Sequence, residues 1–423
     1  MKEKFIKIII KNKQVLKKIV PIGLLRAMKQ KSLSNLMKQY SREPIDVTEY
    51  KKMQQGVNLI GDIRAEIGLG QSMRLVANEL ALSKYPLAIC NFQLGGNLRR
   101  GDHTFDAYMR KDHPYRINLF HINPQEAGHA YLYLDKDIWK NRYNIAFWLW
   151  EIEEFPKEHI EALRFFDEIW TPSEFASSSI RKVTDKPVCT IPYYVVAGKD
   201  EKYDRAAFGL PDDKFLYLIM YDTNSTMARK NPVGALNAYK KAFPVENENV
   251  GLVIKMNNPT EEDLAVIRKQ TEGYHNVYLV TEILDKPVVN SLIAAVDVFV
   301  SLHRAEGFGL VMAEAMLLGT ACVATDWSSN TEFMDSDCAC MVSFKRTTIQ
   351  KTSGNYKKGY QWAEPDVNEA AEDMKHLYEN PAYYKKIVQH AHEHVEELLG
   401  RERIVGMLEK RLEEIESLLY KGE

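Results

Sequence analysis

The chain has 423 residues, 45% hydrophobic and 27% charged, with a formal net charge of −2, an ordinary globular composition. That length predicts two or three domains with large cores, and a near-neutral charge with the basic residues gathered at one end excludes a general nucleic-acid binder. The five cysteines, Cys90, Cys189, Cys322, Cys338 and Cys340, form no disulfide framework; reduced thiols in the cytoplasm are the simple expectation, and Cys338-x-Cys340 is a lone C-x-C hint of metal binding with no second pair nearby.

Residues 1–40 carry eleven Lys and Arg against a single acid, Glu3. Phe5, Ile8, Ile9, Val15, Leu16, Ile19 and Val20 recur at near-helical spacing between the lysines. Such a helix can lie on an anionic membrane surface, or pack on its own domain with a solvated basic face. No apolar run reaches the roughly 18–20 residues that span a bilayer, and the interrupting lysines and missing cleavage site argue against a signal peptide. Residues 1–50 are therefore read as a basic amphipathic appendage, on a cytoplasmic protein that is peripheral to the membrane's inner face if the first reading holds.

From Gly56 onward, short apolar runs alternate with helical patterns. Strands are predicted at 57–61, 87–91, 116–121, 144–148, 168–171 and 187–192, and helices at 70–83, 158–166 and 173–183. The polar stretch 195–213, broken by Gly198, Gly209 and Pro211, reads as a linker. A second series follows, with strands at 215–221, 250–256, 277–280, 297–302 and 321–325 and helices at 232–242, 261–270, 287–295 and 310–318. Helices over 366–378, 382–398 and 401–420 close the chain. This is an α/β pattern of two Rossmann-like, doubly wound parallel-sheet domains, 51–200 and 201–395, facing a central cleft, with C-terminal helices of which 396–423 is expected to pack back toward the first domain.

The most informative segment is Ser301-Leu-His-Arg-Ala-Glu-Gly-Phe-Gly-Leu310, running on to Glu314 and Gly319. A strand ends, a glycine turn (Gly307, Gly309) opens a helix, and helix amides with their dipole can receive phosphate oxygens. Glu306 on the loop and Glu314 two turns into the helix lie on roughly one face, so one carboxylate can reach a sugar and the other a ribose diol. His303 can hydrogen-bond the sugar, and Arg304 can stabilise a leaving diphosphate. In Asp222-Thr-Asn-Ser-Thr-Met-Ala-Arg-Lys-Asn-Pro232, Arg229 and Lys230 can neutralise a diphosphate, with Ser225 as a hydroxyl donor. Trp148, Trp150 and Glu151, at the end of a strand, suit a carbohydrate acceptor through aromatic stacking and carboxylate hydrogen bonds; core packing is the competing reading for both tryptophans. His121, ending the neighbouring strand, is either an acceptor-site group or a satisfied interior histidine.

Glu306 and Glu314, with Gly307-Phe308-Gly309-Leu310, the strand Ala321–Thr325 and the segment Asp326–Met334, resemble the E-x7-E region of retaining glycosyltransferases of the GT-B fold, notably glycosyltransferase family 4 of the bacterial polysaccharide-building type. The resemblance covers most of residues 56–395, strongly in the second half. It implies that Lys230 contacts donor phosphate, that Gly68 and Gly70 form a glycine turn facing those phosphates across the cleft, and that transfer retains anomeric configuration. It also places a histidine where this chain has tryptophan near 148, which makes His121 the substitute to consider. Many members carry an arginine several residues before Lys230; here Arg229 or Arg304 must serve.

The expected partners are a nucleotide sugar and a glycan acceptor, in particular a lipid-linked envelope or capsule glycan. The nucleotide sugar is a co-substrate and no further cofactor is expected; without a DxD-type metal site, cationic side chains replace a divalent ion. The alternatives are a nucleotide-sugar epimerase of the same fold and a non-catalytic partner subunit or chaperone.

Overall fold

The computed structural model describes residues 22–93, 95, 98–223 and 226–420. The chain divides into two units. The first runs to Trp150 and adds Glu154–Tyr194 and the end of the chain from Ile404; the second comprises Glu151–Glu153 and Val195–Arg403.

The first unit contains α1 (Ile22–Gln39), α2 (Val47–Lys52), β1 (Gln54–Gly61), α3 (Gly68–Leu82), β2 (Leu87–Asn91), β3 (Tyr115–Phe120), α4 (Ala127–Tyr133), β4 (Tyr143–Phe147), β5 (Glu168–Thr171), α5 (Glu174–Arg181) and β6 (Val188–Thr190). Its six strands lie in the order β2-β1-β3-β4-β5-β6, all parallel. Residues of β3 and β4 are buried throughout, which is why these strands read as unbroken runs rather than alternations. Polar exceptions are paired. Asn58, Asn118 and Asn144 sit side by side on β1, β3 and β4. The Asn58 amide donates to Asn118 Oδ1 at 2.9 Å and the Asn118 amide to Asn144 Oδ1 at 2.8 Å, a ladder that satisfies groups otherwise costly to bury. The segment predicted as a helix at 158–166 is a 3-10 helix, Lys157–Phe165.

The second unit contains β7 (Phe215–Asp222), α6 (Met227–Lys230), α7 (Pro232–Ala242), β8 (Val250–Asn257), α8 (Glu261–Gln270), β9 (Val277–Val280), α9 (Lys286–Ala294), β10 (Val298–Ser301), α10 (Leu310–Leu317), β11 (Ala321–Thr325), β12 (Cys340–Val342), β13 (Phe344–Thr348), β14 (Gln361–Pro365), α11 (Val367–Glu379) and α12 (Pro381–Leu399). Its parallel sheet has the order β12-β11-β10-β7-β8-β9, and β13 and β14 form a separate antiparallel pair. Strand order reverses between β7 and β10, so the loops leaving these two strands diverge and open the crevice where ligands bind in such sheets. The last helix, α13 (Arg401–Tyr420), belongs to the first unit from Ile404. There Arg411 grips the Glu168 carboxylate with two bonds of 2.8 and 2.7 Å, and Glu416 meets Arg116 at 2.6 Å.

No helix among the described residues is long and apolar enough to cross a membrane. Residues 1–21, which hold most of the basic amphipathic pattern, lie outside the described residues. In the part of α1 that is described, Leu33 and Met37 are buried. Leu33 packs with Leu132, and Met37 lies against Gly128; this face of the helix is occupied by its own unit.

Candidate active site

The second unit brings Arg229, Lys230, Arg304, Glu306 and Glu151 together at the β7/β10 switch point. Two loops are joined there through the backbone: the Arg304 amide donates to the Arg229 carbonyl at 2.7 Å. Asn231 seals the junction in a left-handed conformation (φ 50°, ψ 48°), its side chain accepting from the Gly234 amide at the start of α7 and donating to the Leu302 carbonyl at 2.9 Å. One residue thus caps a helix and ties it to the end of β10.

On this frame Lys230 Nζ lies 2.5 Å and Arg229 Nη1 3.3 Å from the same Glu306 oxygen, Oε2. Arg229 also donates to the Ala305 carbonyl at 3.0 Å and pairs through Nε with Glu151 at 3.2 Å. Tyr356 donates its hydroxyl to that Glu151 carboxylate. Glu151 therefore belongs to the cationic cluster and not to an aromatic acceptor patch. Burial works to raise the Glu306 pKa, but Lys230 and Arg229 outweigh it and hold the carboxyl well below the usual range. Burial likewise raises Glu151, and there Arg229 only partly offsets it. Two carboxylates in one cluster are pushed in opposite directions, a pattern found where sites tune charge.

The backbone of Glu306 is clamped. Its amide donates to Ser328 Oγ at 3.1 Å, and Ser329 Oγ donates to its carbonyl at 2.9 Å. Gly307 turns its amide to Glu306 Oε1 at 3.2 Å. Gly309 caps α10 at φ 96°, a left-handed conformation that strains any residue with a Cβ. Phe308 is buried beside Phe333, with ring centroids 5.4 Å apart, and Leu310 opens α10 half-buried. Farther along α10, Glu314 is 1% exposed and pairs with Lys286 Nζ at 2.5 Å. Burial raises the Glu314 pKa and Lys286 opposes it. Lys286 was not singled out from sequence, since nothing at 286 marks it until α9 sets its first residue against α10.

Other residues expected to meet a ligand have protein partners in the ligand-free chain or lie outside the described residues. Arg304 is occupied by the protein: it binds Glu364 on β14 in bidentate fashion at 2.7 and 2.8 Å and donates to the Ala228 carbonyl at 2.6 Å. In the ligand-free chain it braces the β7 and β10 loops. His303 is fully buried. Its Nε2 faces the Trp327 carbonyl at 3.2 Å and Asn330 Oδ1 at 3.0 Å, and its Nδ1 faces Ser301 Oγ and the Ser301 carbonyl, both at 3.1 Å. Burial lowers its pKa, and both ring nitrogens already face protein partners. Ser225 lies outside the described residues.

Gly68, Gly70, His121, Trp148 and Trp150 belong to the first unit. Gly70 is required by packing, because a Cβ would stand 2.0 Å from the Ala65 carbonyl oxygen, whereas Gly68 has open space. Trp148 is fully buried, stacked on Phe155 with centroids 5.6 Å apart. Trp150 is 5% exposed and donates to the Glu154 carbonyl at 3.0 Å. Both are core residues.

His121 is also interior, with Nε2 2.7 Å from Ser72 Oγ and its ring stacked on Phe147. Burial draws its pKa from 6.5 down to about 3. Unfolding must therefore take up a proton between these two values, so this stability is complete above 6.5 and is lost as pH falls toward 3, at up to about 1.4 kcal/mol per pH unit. Thermal unfolding of the wild type should weaken between pH 7 and 5, and His121→Gln should flatten that dependence; equal slopes in both proteins would show that His121 does not titrate this way.

Residues 227–380 match the family model described as Glycosyl transferases group 1. No curated protein sequence matches the chain. Among solved structures, Anabaena HepE in complex with UDP and glucose is similar over 85% of this chain and 100% of its own, with a TM-score of 0.63 and 13% identity. Sucrose-phosphate synthase from Thermosynechococcus elongatus is similar over 86% of this chain and 100% of its own, with a TM-score of 0.62 and 15% identity. A mutant of S. aureus TarM, in complex with fondaparinux, alpha-GlcNAc-glycerol and UDP, is similar over 70% of this chain and 55% of its own, with a TM-score of 0.51 and 15% identity. The chain therefore has the GT-B fold, and its residues 227–380 carry the glycosyl transferases group 1 pattern.

Proposed function

We propose that the chain is a glycosyltransferase that moves a sugar from a nucleotide-sugar donor to a glycan acceptor with retention of configuration. The observation that carries this reading is the convergence of Lys230 and Arg229 on Glu306 at the switch point of the second unit's sheet. Breaking a sugar–phosphate bond leaves negative charge on a nucleoside diphosphate, and fixed cations in a site of low dielectric are suited to stabilise it. Lys230 is 29% exposed against 7% for Arg229, so it is the cation able to change partner from Glu306 to an incoming phosphate. Arg229 holds the arrangement from behind, and the N-terminus of α10, which has no side-chain cap at Gly309, supplies amides to the same charge. These protein groups take the place of a divalent ion in our proposal. Glu306, held ionised, orients the donor sugar, and Glu314 reads the ribose diol.

The acceptor we propose is a lipid-linked envelope or capsule glycan. The support is the sequence resemblance and the cationic N-terminus, which suits an anionic membrane where such an acceptor resides.

Thermal unfolding with GDP, UDP and dTDP, followed by transfer assays with the matching sugars, tests the reading. One nucleotide at a hundredfold excess over its dissociation constant should add about 2.7 kcal/mol of stability, and the product should be an extended acceptor. No shift with any of the three would remove the proposal; an altered free nucleotide sugar without acceptor would make the chain an epimerase. Glu314→Gln keeps the side-chain volume but removes the charge facing Lys286. It should weaken donor binding about 10- to 150-fold, the loss of one hydrogen bond to a charged group, as read by calorimetry; unchanged affinity would take Glu314 out of the donor site.

A further inference from the structure

We propose that Asp335, Cys338 and His394 form a binding site for a single thiophilic divalent cation, zinc by chemistry, on the second unit and apart from the group around Glu306. One carboxylate oxygen, the thiol sulfur and one imidazole nitrogen all lie within 4.8 Å of one another. Asp335 and Cys338 stand in a D-x-x-C turn that follows the Ser329–Glu332 turn, and His394 reaches them from α12, more than fifty positions later in the sequence. His394 Nε2 is 3.8 Å from Asp335 Oδ2. In a tetrahedral zinc site neighbouring donors stand about 3.4–3.6 Å apart, so closure needs movements of about 1 Å or less, within reach of side-chain rotation.

The surroundings already assign roles to the individual atoms. Asp335 Oδ1 accepts from the Asp337 amide at 2.9 Å, which leaves Oδ2, the oxygen facing His394, for a ligand. The Asp335 amide points at Cys338 Sγ at 3.3 Å, an N–H···S contact of the kind that steadies a metal thiolate. The thiol itself reaches only the Asp335 carbonyl, at 3.6 Å, a weak bond whose proton the cation would displace. Cys338 is buried, His394 half-buried and Asp335 exposed, so the carboxylate side leaves room for water as a fourth ligand. A thiol with an imidazole selects zinc over magnesium or calcium, which prefer all-oxygen sites.

The companion cysteine of the C-x-C pair is elsewhere: Cys340 on β12 has its sulfur 3.8 Å from the Tyr383 hydroxyl. A bound ion would fasten the 335–338 turn to α12. That turn continues the segment whose Ser328, Ser329 and Asn330 hold Glu306 and His303, so the ion would act as a structural staple near the donor loop.

The test uses the full chain, freed of metal with a chelator and titrated with Co2+ as a coloured substitute and with Zn2+ by calorimetry. One equivalent of Co2+ should give a near-ultraviolet thiolate charge-transfer band and visible bands of tetrahedral cobalt. Excess Zn2+ should raise the thermal midpoint by about 5 °C. Cys338→Ser and His394→Ala should each abolish the band and the shift, Cys340→Ser should keep both, and all three should retain the thermal shift given by the preferred nucleotide. Absence of a thiolate band in the wild type, its survival in Cys338→Ser, or its loss in Cys340→Ser would overturn the site. Failure of nucleotide binding in the wild type would bear only on the transferase reading.

Discussion

Lys230→Ala should lower the turnover number about 10²- to 10³-fold while leaving the fold intact. The lysine is the partly exposed cation of the Glu306 cluster, and removing one preorganised group that meets charge developing in the transition state costs about 2.7–4 kcal/mol. Because that charge grows as the sugar–phosphate bond breaks, the loss should fall mainly on kcat and less on the donor KM. Fold integrity is expected because Lys230 contributes only its Nζ contact with Glu306, whereas the turn it stands in is held by backbone bonds and by Asn231. Initial-rate kinetics with saturating acceptor measure the effect. A change of less than about threefold would place the leaving-group cation elsewhere, since it is far below the range for such a group.

Glu306→Ala should lower the stability of the ligand-free second unit by about 2–3 kcal/mol. Deleting one partner of a fully buried ion pair costs about 3–5 kcal/mol, because the remaining charge is stranded. The smaller figure applies because Arg229 keeps Glu151 at 3.2 Å and Lys230 keeps some water. The same variant should bind the bare nucleoside diphosphate more tightly than the wild type does, since phosphate oxygens would enter a vacated anionic position without displacing a carboxylate. It should nevertheless transfer sugar more slowly, having lost the group that orients the donor. Denaturant unfolding with and without nucleotide, set beside transfer rates, separates these effects. Weaker nucleotide binding in the variant would show that Lys230 and Arg229 do not exchange Glu306 for phosphate.

The alternation of apolar runs with helical patterns was enough to establish two doubly wound sheets, because a strand buried on both faces has to be apolar throughout. It also located the β7 and β10 loops, where glycine, proline and a helix start follow a strand end. It missed β12, a three-residue edge strand with no period to detect, and the β13–β14 pair, whose residues look like a polar loop. Glu306, Lys230 and Arg229 were legible because each stands in a segment that follows a strand and carries turn-forming residues.

The pairings were not legible, because they depend on approach distances between segments far apart in the chain. Lys286 meets Glu314 across two helices, Glu364 pairs with Arg304, and His394 joins Asp335 and Cys338. Burial decided the rest. Trp148, His121 and His303 carry side chains equally able to bind a ligand or fill a core, and only their tertiary neighbours, which occupy every face and hydrogen-bonding nitrogen that a ligand would need in the case of His303, assign them to the interior. Local sequence thus determined where strands end and charges gather; the fold determined which charge faces which, since desolvation and pairing act through space and not along the chain.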